Sequence, residues 1–434
     1  MYVLSLVDRQ IIALMVSPLR RDLGLSDVQV GLLEGFAFVI MYTLAAFPLG
    51  WAVDRVSRRW VMFIGIIVWS FSCAAAGFAS SFAGLFASRV GVGVGEATLS
   101  PAAHSILSGL FPRRQLSLAL GGFVIGANLG VIISYGAGGW LLHWLSTAGQ
   151  LQLPLLGTMH PWQAAFVLAG APGILLCWLF LTIPEPRRGA VSGQRGAFLG
   201  PLLVYLRSRG RSLWWVFFGF SFNNLLGYSI LSWTPAYLER TFAWNAGQIG
   251  PALGVLLGGS GIAGMLSAGA IADYFFRRGV LDATIRISAA AMLTAIPLML
   301  AAFLAPTPRS CLLFLALTFF CTSFTVPNAA SAVQLIAPDP LRGRLAASYI
   351  FVSNIIGQGL GPLAVGFVTE HLFGSQLLLG RSLATVLPAG ALIGALLLLI
   401  GRDAFRRELE DVDRVRAPNI GAAHYPQPTG LTTR

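Results

Sequence analysis

Apolar residues run in blocks of about 20, the length a helix needs to cross a bilayer at about 1.5 Å per residue, and short polar or charged stretches separate the blocks. Twelve blocks fall approximately at 2–17, 27–52, 60–79, 82–111, 115–143, 162–183, 213–238, 247–273, 284–305, 311–337, 345–373 and 383–401. The pattern predicts twelve helices, several long enough to tilt or to project beyond the hydrocarbon. The first block is short, as when a chain begins partway through a span. It carries Asp8 and Arg9 near its start and ends in Pro18, Arg20 and Arg21 rather than a small-residue cleavage site, so it is expected to stay in the protein.

An interval rich in Gly, Ser and Arg at 185–212 divides the blocks into two sets of six. The expected organisation is an N-terminal six-helix bundle at 1–184, a linker at 185–212, a C-terminal six-helix bundle at 213–401 and a tail at 402–434. One ten-residue pattern closes the second block of each set: Gly50-Trp-Ala-Val-Asp54-Arg55-Val-Ser-Arg58-Arg59 and Gly269-Ala-Ile-Ala-Asp273-Tyr-Phe-Phe-Arg277-Arg278. This marks a tandem duplication. Gly50 and Gly269 permit close helix approach, Asp54 and Asp273 suit a neighbouring helix N-terminus, and the arginines are expected to pair with carboxylates of the adjoining bundle. Such contacts would make a gate. Arg59 or Arg278 taken alone would only set topology.

Composition confirms lipid as the solvent. The chain is 56% hydrophobic and only 11% charged, with a mean hydropathy of +0.75, more apolar surface than a soluble protein of this length buries. All the basic charge is Arg, and its placement matters more than the net +12. Arginines cluster in the loops after the even-numbered spans, while the opposite loops carry mainly Arg20, Arg21, Arg240, Arg309 and Arg381. The positive-inside rule then puts the even-span loops and both termini in the cytoplasm, in the inner membrane. Arginines dispersed at helix ends argue against nucleic-acid binding. Cys73, Cys177, Cys311 and Cys321 lie inside apolar blocks without metal-ligand spacing, so neither a metal site nor a disulfide framework is expected.

Ionisable groups at bilayer depth cost about 2.5–3.5 kcal/mol each on the lenient insertion scale, so they are functional candidates. They are Asp8 and Arg9 in the first span, Glu34 early in the second, and Arg89, Glu96 and His104 in the fourth. Arg89 and Glu96 share nearly one helix face but stand about 10 Å apart along the axis, too far to pair. A crossing first helix would supply Asp8 and Arg9 as partners, forming a neutral cluster that protonation of Asp8 or Glu96 unbalances, as proton coupling requires. A purely structural ion network is the competing reading. His104 lies about 80° round the helix from Glu96 and serves equally as a core histidine, and Glu34 suits the interfacial zone.

Glycines at 91, 93 and 95 in the fourth span, at 122, 126, 130, 136, 138 and 139 in the fifth, and at 357, 359, 361 and 366 in the eleventh, where Pro362 can kink the helix, predict close packing. The fourth-span run is no dinucleotide fingerprint, since no strand precedes it. The polar points expected on a central cavity are few: Asn128, Asn223, Asn224, Tyr228, Asn328, Asn354 and Gln358 among abundant Phe, Leu and Trp. That suits an amphiphile with one charged or zwitterionic head better than a sugar.

Two like-oriented six-span halves with the repeated decapeptide resemble the major facilitator superfamily, and the glycine runs of the fifth and eleventh spans resemble its antiporter-associated motif, though no Pro follows Gly136. Asp8-Arg9, the stretch Arg89-Val-Gly-Val-Gly-Val-Gly-Glu96-Ala-Thr-Leu-Ser100-Pro, Trp162-Gln-Ala-Ala-Phe166, Pro184-Glu185-Pro186-Arg187-Arg188-Gly189 and Trp233-Thr-Pro235-Ala-Tyr237 are similar to the Spinster family. The resemblance implies an all-α membrane transporter exporting lysolipids or sphingoid phosphates, in some members with protons as coupling partner, and it places Asp8, Arg9, Arg89 and Glu96 at the family's charged positions in the central cavity. On the residues themselves Asp8 and Glu96 are the expected proton carriers, Arg9, Arg89, His104, Asn128, Asn223, Asn224, Tyr228, Asn354 and Gln358 the expected substrate contacts, and no cofactor is expected. A drug or sugar exporter of the same superfamily and a passive lipid scramblase remain open alternatives. A membrane enzyme would need a nucleophile and base at membrane depth, and the sequence offers none.

Overall fold

A computed structural model describes residues 1–149, 151–153, 157–185, 199–338 and 341–421. Ten of its helices are long and apolar enough to span a membrane. The fourth and seventh blocks are helical too, as Phe82–Glu96 with Leu99–Leu110 and as part of Leu199–Phe242. Among the described residues the one departure from helix and loop is a short antiparallel pair, Leu151–Leu153 with Gly157–Met159, between the fifth and sixth spans.

Boundaries shift in instructive ways. The seventh helix begins at Leu199, inside the interval expected to be a linker, and residues 186–198 lie outside the described set. The twelfth, Leu379–Gly421, runs on into the expected tail. Several spans break where proline forbids a bond: Pro101 cannot donate to Ala97, where the fourth span turns, and Pro327 cannot donate to Ser323, beside the break in the tenth. In the eleventh span Pro362 follows a π-helical segment, Asn354–Leu360, so the expected kink is taken up by a wider turn.

The halves meet along two seams, the fifth span against the eighth and the second against the eleventh. Both are built on glycine. A Cβ at Gly139 would lie 2.7 Å from the Gly250 Cα, and one at Gly31 would lie 2.7 Å from the Pro362 carbonyl oxygen, so any side chain there would force the backbones apart. All these contacts lie toward one end of the molecule. At the end that carries the decapeptides, Gly50, Gly121, Gly122 and Gly269 have open space within 4 Å of where a side chain would begin. The glycine-built contacts between the halves thus gather at the end far from the decapeptides.

Candidate substrate and proton site

Arg89 occupies the centre of the N-terminal half, 2% exposed. It donates to three backbone carbonyls: Leu33 from Nε at 3.3 Å, Asp8 from Nη1 at 3.1 Å and Arg9 from Nη2 at 3.1 Å. Those acceptors exist because neighbouring helices are irregular. The first span tightens to a 3-10 segment at Ile11–Met15 and the second widens to a π segment at Leu32–Phe36, which shifts donors out of register with the preceding carbonyls. Arg9 pairs with the buried Glu96, and its guanidinium stacks over Phe38 at 4.3 Å. Asp8 is 1% exposed, yet neither of its carboxylate oxygens has a hydrogen-bond partner. Cys73 and Trp69 stand beside it outside bonding geometry.

The expected cluster therefore forms with different wiring. Arg9 meets Glu96 across the two helices, but Arg89 takes backbone oxygens instead of the Asp8 carboxylate, because the carbonyls of two distorted helices converge on it first.

The remaining expected contacts scatter. His104 is exposed, bonds the Ser100 carbonyl at 2.7 Å and packs edge-on against Phe123. Asn223 donates to the Thr322 carbonyl at 3.1 Å and Asn224 to Ser353, so both amides tie helices within the C-terminal half. Asn328 is buried, with its Nδ2 lacking a partner, whereas Asn128 and Asn354 are half-buried. Tyr228 and Gln358 do join the centre: with Arg9, Glu34 and Ser232 they line a small cavity between the halves.

Among the described residues no decapeptide side chain is paired with a carboxylate of the other half. The carboxylate partner of Arg59 is Glu185, in its own half: Ser57 Oγ donates to Glu185 at 2.6 Å, the Arg58 amide at 3.0 Å, and Arg59 Nε lies 3.8 Å away. Arg55 lies over Trp51 at 4.2 Å and Arg278 over Tyr274 at 4.3 Å, while Asp273 and Arg277 are exposed. The Asp54 side chain lies outside the described residues. The second half repeats the Arg59–Glu185 arrangement with its charges exchanged: Asp282, before the ninth span, pairs with Arg402 of the twelfth at 2.9 Å.

Burial alone would push the Glu185 carboxyl up, but the donors from Ser57, Arg58 and Arg59 hold it below its ordinary value. A carboxylate depressed on folding contributes stability fully above its unfolded value and loses it as pH falls through the folded one. Acid is therefore expected to loosen the third span from the end of the sixth, lowering the apparent Tm in detergent. Glu185→Gln should flatten that acid limb, and an unchanged limb would refute the assignment.

The closed end carries what sequence reasoning missed. Asp27, with a side chain 3% exposed, is held by Arg20 from the first span and bidentately by Arg240 from the opposite half, at 2.9 and 3.3 Å. Glu370 of the eleventh span accepts from the Val28 amide at 3.0 Å. Ser26 and Gln29 form a capping box that fixes the start of the second span. Arg20 and Arg240 had counted only as topology charges. The available signal was an Asp beside a helix start, facing loops with otherwise unbalanced arginines.

Fold and site together define a multi-pass membrane transporter built of two six-helix bundles. The model of the Major Facilitator Superfamily matches residues 1–362, and the chain belongs to that family. It is 29% identical over 94% of its length to an MFS-type efflux pump of Mycolicibacterium smegmatis, covering 91% of that protein. It is 25% identical over 90% of its length to a probable L-galactonate transporter of Escherichia coli, covering 85% of that protein. To protein spinster of Drosophila melanogaster it is 24% identical over 85%, covering 60% of that protein. In fold it resembles a bacterial homologue of the human lysosomal transporter Spinster in its inward-facing, unoccupied conformation, with a TM-score of 0.77, 24% identity and 95% of both chains covered. A transporter, not an enzyme, is what these relatives describe.

Proposed function

We propose that this chain is a proton-coupled secondary transporter of a lysolipid or sphingoid-like amphiphile with an anionic head, working by alternating access between bundles at 1–184 and 213–401. The arginine-rich decapeptide end faces the cytoplasm of the inner membrane with both termini, which makes the conformation described here inward-open. The observation that carries the reading is the wiring of the central charges. A buried carboxylate without a donor is costly to leave charged, and with Asp8 taken as a proton carrier its charge drops out of the cluster. Arg9, Arg89 and Glu96 then sum to one positive charge, with Arg9 on the small cavity between the halves. An anionic head would draw Arg9 from Glu96, which takes up a proton as the pair parts. Ring faces of Phe38 and Tyr42 flank Arg9, and Asn223 and Asn224 are already engaged within their own half. Little polar capacity is left for a polyhydroxylated cargo, while an acyl tail is well served.

Sugar acids form the second reading, favoured by the galactonate transporter among the relatives. A carboxylate would satisfy Arg9 as well as a phosphate. Uptake of a lysolipid panel and a sugar-acid panel into reconstituted vesicles, each with and without a pH gradient, separates the readings. Gradient-driven lysolipid flux is expected. Sugar-acid flux alone would transfer the assignment, and lysolipid flux indifferent to the gradient would point to a scramblase.

A further inference from the structure

Glu34 belongs to neither the central ion cluster nor the closed-end Asp27 contacts. Its residue is 5% exposed, and neither carboxylate oxygen has a hydrogen-bond partner. It sits on the π segment of the second span, and the neighbouring Gly35 meets the Gln358 carbonyl, itself on the π segment of the eleventh. Two widened helical turns thus face each other across the halves, a geometry concentrated at functional sites. The cavity beside Glu34 has room for about one water. It is walled by Arg9, Gln10, Ile12 and Ala13 of the first span, Tyr228 and Ser232 of the seventh, and Gln358 of the eleventh.

The charged and titratable groups around Glu34 are few. Arg89 approaches from the fourth span with its donors already committed to carbonyls, and Arg9 from the first is paired with Glu96. Tyr135 faces it from the fifth span and Tyr228 from the seventh. Ser232 stands beside it outside bonding geometry. Among the described residues neither arginine bonds the Glu34 carboxylate, although the Arg9 Nε on the same cavity has no partner of its own.

We propose that Glu34 is a second proton-binding site, separate from Asp8 and Glu96, whose occupancy holds the second and eleventh spans together. With the proton on, a neutral acid packs between the π segments. When the far end parts, water reaches the carboxyl, the O–H proton passes to that water, and the resulting carboxylate must be dehydrated or reprotonated before the seam closes again. Release is thus tied to the far side. The inference rests on the alternating-access reading but not on which groups drive flux.

The test is the far-end distance as a function of pH, between spin labels at Ser80 and Leu377 in protein cleared of its native cysteines. For the wild type, the open-to-closed ratio at the far end should rise with pH by roughly tenfold per unit across the titration, one proton being linked. Glu34→Gln, which mimics the neutral acid, should stay closed and lose that rise, while Asp8→Asn should keep it. A wild type insensitive to pH, or a Glu34→Gln protein that opens as the wild type does, overturns the proposal. Flux in the vesicle panel stands apart from either result, so failure here leaves the transport reading intact.

Discussion

Replacing Glu96 by alanine is expected to lower stability by about 3–5 kcal/mol, the usual consequence of stranding one member of a buried ion pair, and to abolish gradient-driven flux. Arg9, 12% exposed at its side chain, would be left with a ring face and no carboxylate. Stability loss alone could account for lost flux, so the informative partner is the double variant Arg9→Met with Glu96→Leu. Replacing both charges by apolar groups of similar size is close to neutral for stability. The double variant should therefore recover most of the apparent Tm while remaining inactive. Recovery of flux along with stability would show the pair to be structural, the reading that competed with proton coupling from the start.

Asp27→Asn is expected to open the far end. One carboxylate there joins Arg20 of the N-terminal half to Arg240 of the C-terminal half, and charge-assisted bonds of this kind contribute about 1.5–3 kcal/mol each. Loss of the charge also leaves two arginines facing one another. A change of that size moves a two-state population by about tenfold to a hundredfold. Spin-label distances across the far end should lengthen, with a matching fall in the inward-open fraction. An unchanged distance distribution would mean that the glycine seams alone hold the end shut.

Much of this was legible in the chain. Blocks of about 20 apolar residues gave the spans, since a bilayer imposes that length, and the repeated decapeptide gave the two halves. The charged positions of the first and fourth spans were identified because any ion at that depth needs a reason. Their wiring was not, since Arg89 is satisfied by carbonyls freed in the 3-10 and π segments, and helical periodicity carries no sign of either. Glu34 was assigned to the interface for the same cause: counted from the start of the second span it is shallow, but the eleventh span folds over it. The arginines of the closed end were missed because topology rules count loop charge without asking what it touches. The decapeptide contacts depend on conformation, and a sequence records every state of a transporter at once.

The exchanged charges at the start of the third and ninth spans have a consequence for assembly. Arg59 meets Glu185, while Asp282 meets Arg402. A third span docked by mistake on the twelfth would bring arginine to arginine, and a ninth docked on the sixth would bring acid to acid. Repeats descended from one ancestor invite such mispairing as they emerge into the bilayer, and opposite polarity at equivalent corners discourages it.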